Sequence, residues 1–119
     1  EEGRIIALYG TIGPKILEKQ GGLVVDDSPK SLENMLSMLQ GERGRYVFYQ
    51  GFGLAYTIKE EGLADSLKLS DFSYYDAGHF VAFPLSMDPA VVAKVEAALN
   101  TLHESGELQQ ILKKYTSIQ

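Results

Sequence analysis

The residues with most chemical promise lie near the start of the chain, in Leu8-Tyr9-Gly10-Thr11-Ile12-Gly13-Pro14. An apolar run ends at Gly10, and Gly13-Pro14 has the form of a helix start, with a proline where its missing N–H costs nothing. Backbone N–H groups at such a start, with the Thr11 hydroxyl beside them, favour an anion such as a carboxylate. Gly10 allows close approach to the backbone. The same residues also read as a tight turn with a satisfied cap. The run is neither a dinucleotide fingerprint nor a P-loop, because it lacks the third glycine of the one and the Gly-Lys-Ser/Thr of the other. Gln50 follows the apolar run Tyr46-Val47-Phe48-Tyr49. Its amide offers one acceptor and two donors, which can orient a polar ligand but cannot balance a charged amine. Ligands of open α/β sheets sit beyond the carboxyl ends of the strands, so Tyr9, Thr11 and Gln50 are expected along one edge. A surface glutamine is the plain alternative.

Catalytic constellations are not found. Glu1-Glu2 and Glu60-Glu61 are adjacent pairs whose side chains diverge, and neither His79 nor His103 has a nearby serine or acid in a recognisable arrangement. Two histidines and no cysteine build no metal cage, no thiolate zinc site and no disulfide, so neither metal nor cofactor is expected. Leu23-Val24-Val25-Asp26-Asp27-Ser28-Pro29 resembles the opening strand and acidic pair of a response-regulator receiver domain, with Asp71 at about the separation of the phospho-accepting aspartate. Against it, a full strand precedes the acidic pair, and no fifth strand with a lysine follows.

The elements that position these residues follow from periodicity and punctuation. Residues 4–9 read as a buried strand, Gly13 to Gln20 as a helix, and Leu23-Val24-Val25 as a second strand. A helix from Ser28 or Ser31 to about Gln40 carries Leu32, Met35, Leu36 and Leu39 on one face, and Gly41 stops it. Tyr46 to Tyr49 is a third strand, followed by a weaker helix through Leu54, Ala55 and Ile58. Residues 63–76 are irregular, and His79-Phe80-Val81-Ala82-Phe83 reads as a further strand broken by Pro84. Asp88-Pro89 opens the best helix, with Val91, Val95, Ala98, Leu99 and Leu102 on one face, and a final helix holds Leu108, Ile111, Leu112 and Tyr115. Most of the mid-chain aromatics, Tyr46, Phe48, Tyr49, Phe52, Tyr56, Phe72, Tyr74 and Tyr75, are expected in the core, with Tyr74 or Tyr75 exposed. Strands alternating with helices predict a three-layer α/β sandwich around a mostly parallel sheet.

The chain has 119 residues, enough for roughly one core. A net charge of −5 gathers no phosphates, which argues against a nucleic-acid partner. No apolar run approaches the roughly 18 to 20 residues of a membrane helix. The absence of cysteine suits an oxidising compartment without proving one.

Asp88-Pro89-Ala90-Val91-Val92, and Ala97 through Gly106 to Tyr115, resemble the C-terminal signature of family 3 extracellular solute-binding proteins, the type 2 periplasmic binding proteins of ABC importers. Phe80 to Pro84 is similar to that family's strand returning through the hinge, Ile5 to Thr11 to the first strand and Gly-Thr turn of its second lobe, and Leu36 to Tyr49 to its helix-Gly-strand segment. The resemblance implies that residues 1–84 are the second lobe with its hinge strand. Residues 85–119 are then C-terminal helices that pack on a first lobe with no counterpart here. It further implies a small polar or amino-acid-like solute held between two lobes, with Gly10, Thr11 and Ile12 giving backbone or hydroxyl contacts and Tyr9 and Gln50 beside them. Membrane subunits of an importer, or a signalling partner sharing the fold, are the implied partners, and the implied location is periplasmic or extracellular. Gln50 stands where amino-acid binders of the family place an aspartate, which shifts the expectation towards an uncharged or anionic solute. Uncovered C-terminal helices would expose Leu99, Leu102, Ile111 and Leu112 and promote self-association.

Overall fold

The computed structural model describes residues 3–117. Strand β1 (Ile5–Ala7) leads through helix α1 (Ile12–Gln20) to strand β2 (Val25–Asp26). Helix α2 (Leu32–Gln40) then leads to strand β3 (Tyr46–Phe48) and helix α3 (Gly51–Glu60). A long irregular segment follows, and helices α4 (Pro89–Glu104) and α5 (Glu107–Thr116) close the chain. The sheet is parallel, in the order β2-β1-β3, with Ile5 opposite Val25 and Tyr46, and Ala7 opposite Phe48. The fold is thus α/β, as the alternation of strands and helices predicts.

Strand alternation sorts the two faces of the sheet. Ile6 packs with Met35, Leu36 and Met38 of α2 and Leu54 and Ile58 of α3, and Leu8, Val47 and Tyr49 join them from the same side. Phe48, one residue out of step, meets Gly13 of α1, where a Cβ would stand 3.4 Å from its ring. Helix α1 therefore covers one face and α2 with α3 the other, making three layers. Local chemistry fixes the ends of α2. Ser31 accepts a hydrogen bond from the Asn34 N–H at 3.1 Å, and the Gly41 N–H returns to the Ser37 carbonyl at 2.9 Å. Between α2 and β3, Gly44 sits where a Cβ would come within 2.6 Å of Ile6, so only glycine lets the chain pass over the buried isoleucine.

Three sequence expectations are corrected. Residues 79–83 form no strand; they run unpaired, with Phe80 91% exposed. The second strand lies at Val25–Asp26, with Leu23 and Val24 exposed before it. The aromatics do not fill the core. Tyr46, Phe52, Tyr56 and Phe72 are exposed and only Phe48 and Tyr49 are half-buried, because methionine, leucine and isoleucine from α2 and α3 already occupy the space over β1. Tyr74 and Tyr75 are both exposed, as expected.

Helix α4 buries no residue, and the molecule is correspondingly long, 55 × 33 × 23 Å. Its radius of gyration is 17.4 Å, against about 13.5 Å for a compact chain of this length. Helix α5 turns back onto α3, where the Tyr56 and Tyr115 rings stand 6.4 Å apart and the Lys59 ammonium donates to the Lys114 carbonyl at 3.1 Å. Of the apolar residues expected on the C-terminal surface, Leu99 and Ile111 are exposed, whereas Leu102 and Leu112 are half-buried.

Met35 is fully buried at the centre of the α2 side of the core. Met35→Ala is expected to cost about 2–5 kcal/mol, the range for deleting a buried long side chain. Phe80→Ser, at an exposed position, should stay within about 0.5 kcal/mol. Urea denaturation of the two variants measures both.

Candidate functional site

The topology singles out one edge. From β1 the chain moves outward through α1 to β2, then crosses back through α2 to β3, so β1 and β3 are neighbours whose following helices leave on opposite faces. Such a reversal opens a crevice beyond the carboxyl ends of the two strands, where ligands of open α/β sheets are held. Because Ala7 is in register with Phe48, the turn after β1 and the turn after β3 leave the sheet at the same level. Tyr9, Gly10, Thr11 and Ile12 form one wall of this crevice and Gln50 begins the other.

The first wall is shaped by its own hydrogen bonds. The Tyr9 N–H donates to the Pro29 carbonyl at 2.9 Å, tying the turn to the loop after β2. Gly10 adopts φ +75°, a left-handed conformation that favours glycine. Thr11 caps α1 through its extended backbone, while its hydroxyl turns back to donate to the Leu8 carbonyl at 2.8 Å. The hydroxyl proton is thus used within the turn, which leaves its acceptor lone pairs. The N–H groups of Ile12 and Gly13 lie in the first turn, which has no intrahelical acceptors to offer them. Tyr9 and Ile12 are 62% and 65% exposed, so this wall is an open surface.

The second wall is built around Gln50. Its Oε1 accepts from the Phe52 N–H at 3.0 Å, making glutamine the cap of α3 in place of a shorter Asp or Ser. The fold-back needs Gly53, where a Cβ would lie 2.8 Å from the Gln50 amide nitrogen and 2.9 Å from the Tyr49 ring. With Oε1 committed, the amide NH₂ remains as the donor Gln50 can present to a ligand. Gln50 is thus a structural cap and a candidate contact at once.

Two groups at this edge were not anticipated. Lys30, in the loop after β2, holds its ammonium 5.8 Å from the centre of the Tyr9 ring, a cation–π contact that brings positive charge to the first wall. Phe48 packs beside Gly13 on the α1 face of the sheet, next to the first wall. The signal for Lys30 is weak in sequence, since only the parallel order of the strands brings the loop after β2 beside the turn after β1. Negative charge is also near. Asp26 ends β2, and its Oδ1 accepts from the Ser28 hydroxyl at 2.6 Å and the Ser28 N–H at 3.1 Å. These bonds, the hydroxyl first, hold its carboxyl below the ordinary value of 3.8, with small contributions from Arg43 and Arg4 against a small desolvation.

Asp26, Asp27 and Asp71 do not assemble. Among the described residues no three His, Cys, Asp or Glu side chains are grouped to hold a metal ion. Asp26 and Asp27 follow the edge strand β2 rather than the central strand, and Asp71 lies in the irregular segment after α3. Among the described residues, no helix is long and apolar enough to cross a membrane. No family model, curated protein or solved structure matches the chain.

Ser28→Ala removes the hydroxyl bond and leaves the backbone one. The Asp26 pKa should then rise part of the way towards 3.8, read by NMR titration of its carboxyl carbon. A depressed native pKa stabilises the fold above the unfolded value and ceases to do so as pH falls through the native one. The stability difference between wild type and variant should therefore be present near neutral pH and vanish in acid.

Proposed function

We propose that this chain is the solute-holding second lobe of a type 2 periplasmic binding protein, and that a small polar solute docks at the crevice beyond β1 and β3. One observation carries the reading. The starts of α1 and α3, with Tyr9, Gly10, Thr11, Ile12 and Gln50, flank a topological reversal between two paired parallel strands. Supporting it is the C-terminal sequence signature; residues 79–83, which resemble the family's hinge strand, form no strand and lend it nothing. The role is binding rather than catalysis, and no cofactor enters it.

The chemistry of the walls selects the solute. Gln50 brings no charge, and no carboxylate stands among the five wall residues to meet an ammonium group. First-turn N–H groups and Lys30 favour a partial or full negative charge. An uncharged polar or anionic solute therefore fits better than a cationic one. An open wall completes only part of the hydrogen bonding and desolvation, so the chain by itself binds weakly, at about millimolar affinity or worse. Closure against a second surface supplies the rest, as in hinged binding proteins. This reading places the protein in the periplasm or outside the cell, delivering solute to the membrane subunits of an importer or reporting it to a signalling partner.

Titration followed by amide NMR tests the site. Dicarboxylates, uncharged polyols and diamines are added to the labelled chain. Shifts should concentrate at Gly10–Gly13 and Gln50–Gly53, with about millimolar midpoints for the first two classes and none for diamines. Binding centred elsewhere, or micromolar affinity for the chain alone, overturns the reading.

The surface away from the crevice carries a second expectation. Phe80, Leu85, Val91, Leu99 and Ile111 are all exposed, Phe80 and Leu85 almost completely. Apolar area of this kind drives association when nothing covers it. Light scattering should show the average mass rising with concentration, and a constant monomer mass at high concentration counts against it.

A further inference from the structure

Residues 70–83 carry the chain from the sheet unit to α4, and every residue from Ser70 to Ala82 is exposed. Two side chains nevertheless pin this segment. The Tyr74 hydroxyl donates to Oε1 of Gln20, the last residue of α1, at 2.6 Å. Its ring meets Phe48 edge to face, with centroids 5.9 Å apart and planes at 77°. Phe48 in turn packs beside Gly13 in the first turn of α1, its ring 3.4 Å from where a Cβ would stand. Five residues further on, the His79 ring stands 6.4 Å from Phe52, in the first turn of α3, the residue whose N–H is bound by Gln50. One pin thus bears on the α1 wall through Phe48, and the other bears directly on the α3 wall.

We propose that residues 70–83 are a latched strap, in which Tyr74 and His79 couple the path of the chain into α4 to the first turns of α1 and α3. The two walls of the crevice and the direction in which α4 leaves then change together. The pins suit this role because they are few and exposed. One hydrogen bond and two ring contacts hold a segment with almost no buried area, so it opens at far lower cost than the core. A rigid connection would instead need a paired strand, and residues 79–83 have none. Packing carries the coupling: a displaced Tyr74 takes away the edge-to-face neighbour of Phe48, and Phe48 packs beside Gly13 in the first turn of α1. What the strap conveys about a solute rests on the function proposed above, but the coupling of strap to walls does not.

The test uses the full chain without solute and compares wild type with Tyr74→Phe, His79→Ala and the double variant by amide NMR. The decisive readout is crossed. Tyr74→Phe should shift the amides of Phe52 and Gly53, which Tyr74 does not touch, and His79→Ala should shift those of Ile12 and Gly13. Exchange of the Leu54 amide, which donates to the Gln50 carbonyl at 3.2 Å, should quicken about three- to tenfold in the double variant, the scale of one lost hydrogen bond. Gln20→Ala removes the same bond from the other side and must reproduce the Tyr74→Phe pattern, which separates loss of the latch from general unfolding. Shifts confined to the immediate neighbours of each substitution, or a Gln20→Ala pattern unlike that of Tyr74→Phe, overturn the proposal. Because no solute is present, the outcome is independent of whether the crevice binds one.

Discussion

The central position of β1 is the constraint on which the rest of the structure depends. A strand with neighbours on both sides and helices on both faces must be apolar throughout, and Ile6 and Ala7 are fully buried. Right-handed crossovers from β1 out to β2 and from β2 back across β1 to β3 place α1 on one face and α2 on the other. That single choice separates the helices following β1 and β3 and opens the crevice between them. It also explains why glycine stands at Gly44, where a Cβ would come within 2.6 Å of the buried Ile6. The site is thus a consequence of strand order before any side chain is considered.

The side chains then divide labour in a way the strand order does not dictate. Thr11 and Gln50 both spend part of their hydrogen-bonding capacity on their own turns, the hydroxyl proton of one and Oε1 of the other. What remains for a ligand is complementary: acceptor lone pairs on Thr11, an amide donor on Gln50, and first-turn N–H groups on each helix. These groups are held without mobile charge, apart from Lys30 at the rim. Local satisfaction of one atom leaves another to be presented, and under the proposed function this arrangement lowers the ordering cost of binding.

The helices were legible in the sequence because their signals are local. Ser31, Gly41 and Asp88 mark ends that the structure confirms through caps to Asn34, Ser37 and Ala90. The expected edge, with Tyr9, Thr11 and Gln50, follows from alternation, and the register of β1 with β3 brings the ends of the two strands level. The fate of individual donors was not legible, since the turn of the Thr11 hydroxyl towards Leu8 depends on a φ of +75° at Gly10 that composition only permits. Nor were Lys30 and the strap contacts, which join residues from loops far apart in the chain. The aromatics misled for a related reason: residue type says that a ring prefers burial, but the volume over β1 is already taken by Met35, Leu36 and Ile58.

Residues 79–83 show where local propensity stops deciding structure. His-Phe-Val-Ala-Phe has the composition of a strand, yet a strand is stable only when its backbone groups find a partner and one face finds a core. Here the neighbouring helices α2 and α3 are filled by other side chains, and Phe80 stands almost wholly in solvent. The same holds for α4, whose Asp88 cap and apolar stripe form a helix of 16 residues without burying one of them. A helix satisfies its own backbone and so persists without a core, whereas a strand does not. That difference explains why α4 is ordered by its own hydrogen bonds, whereas residues 70–83 form no regular element and meet the sheet unit through Tyr74 and His79.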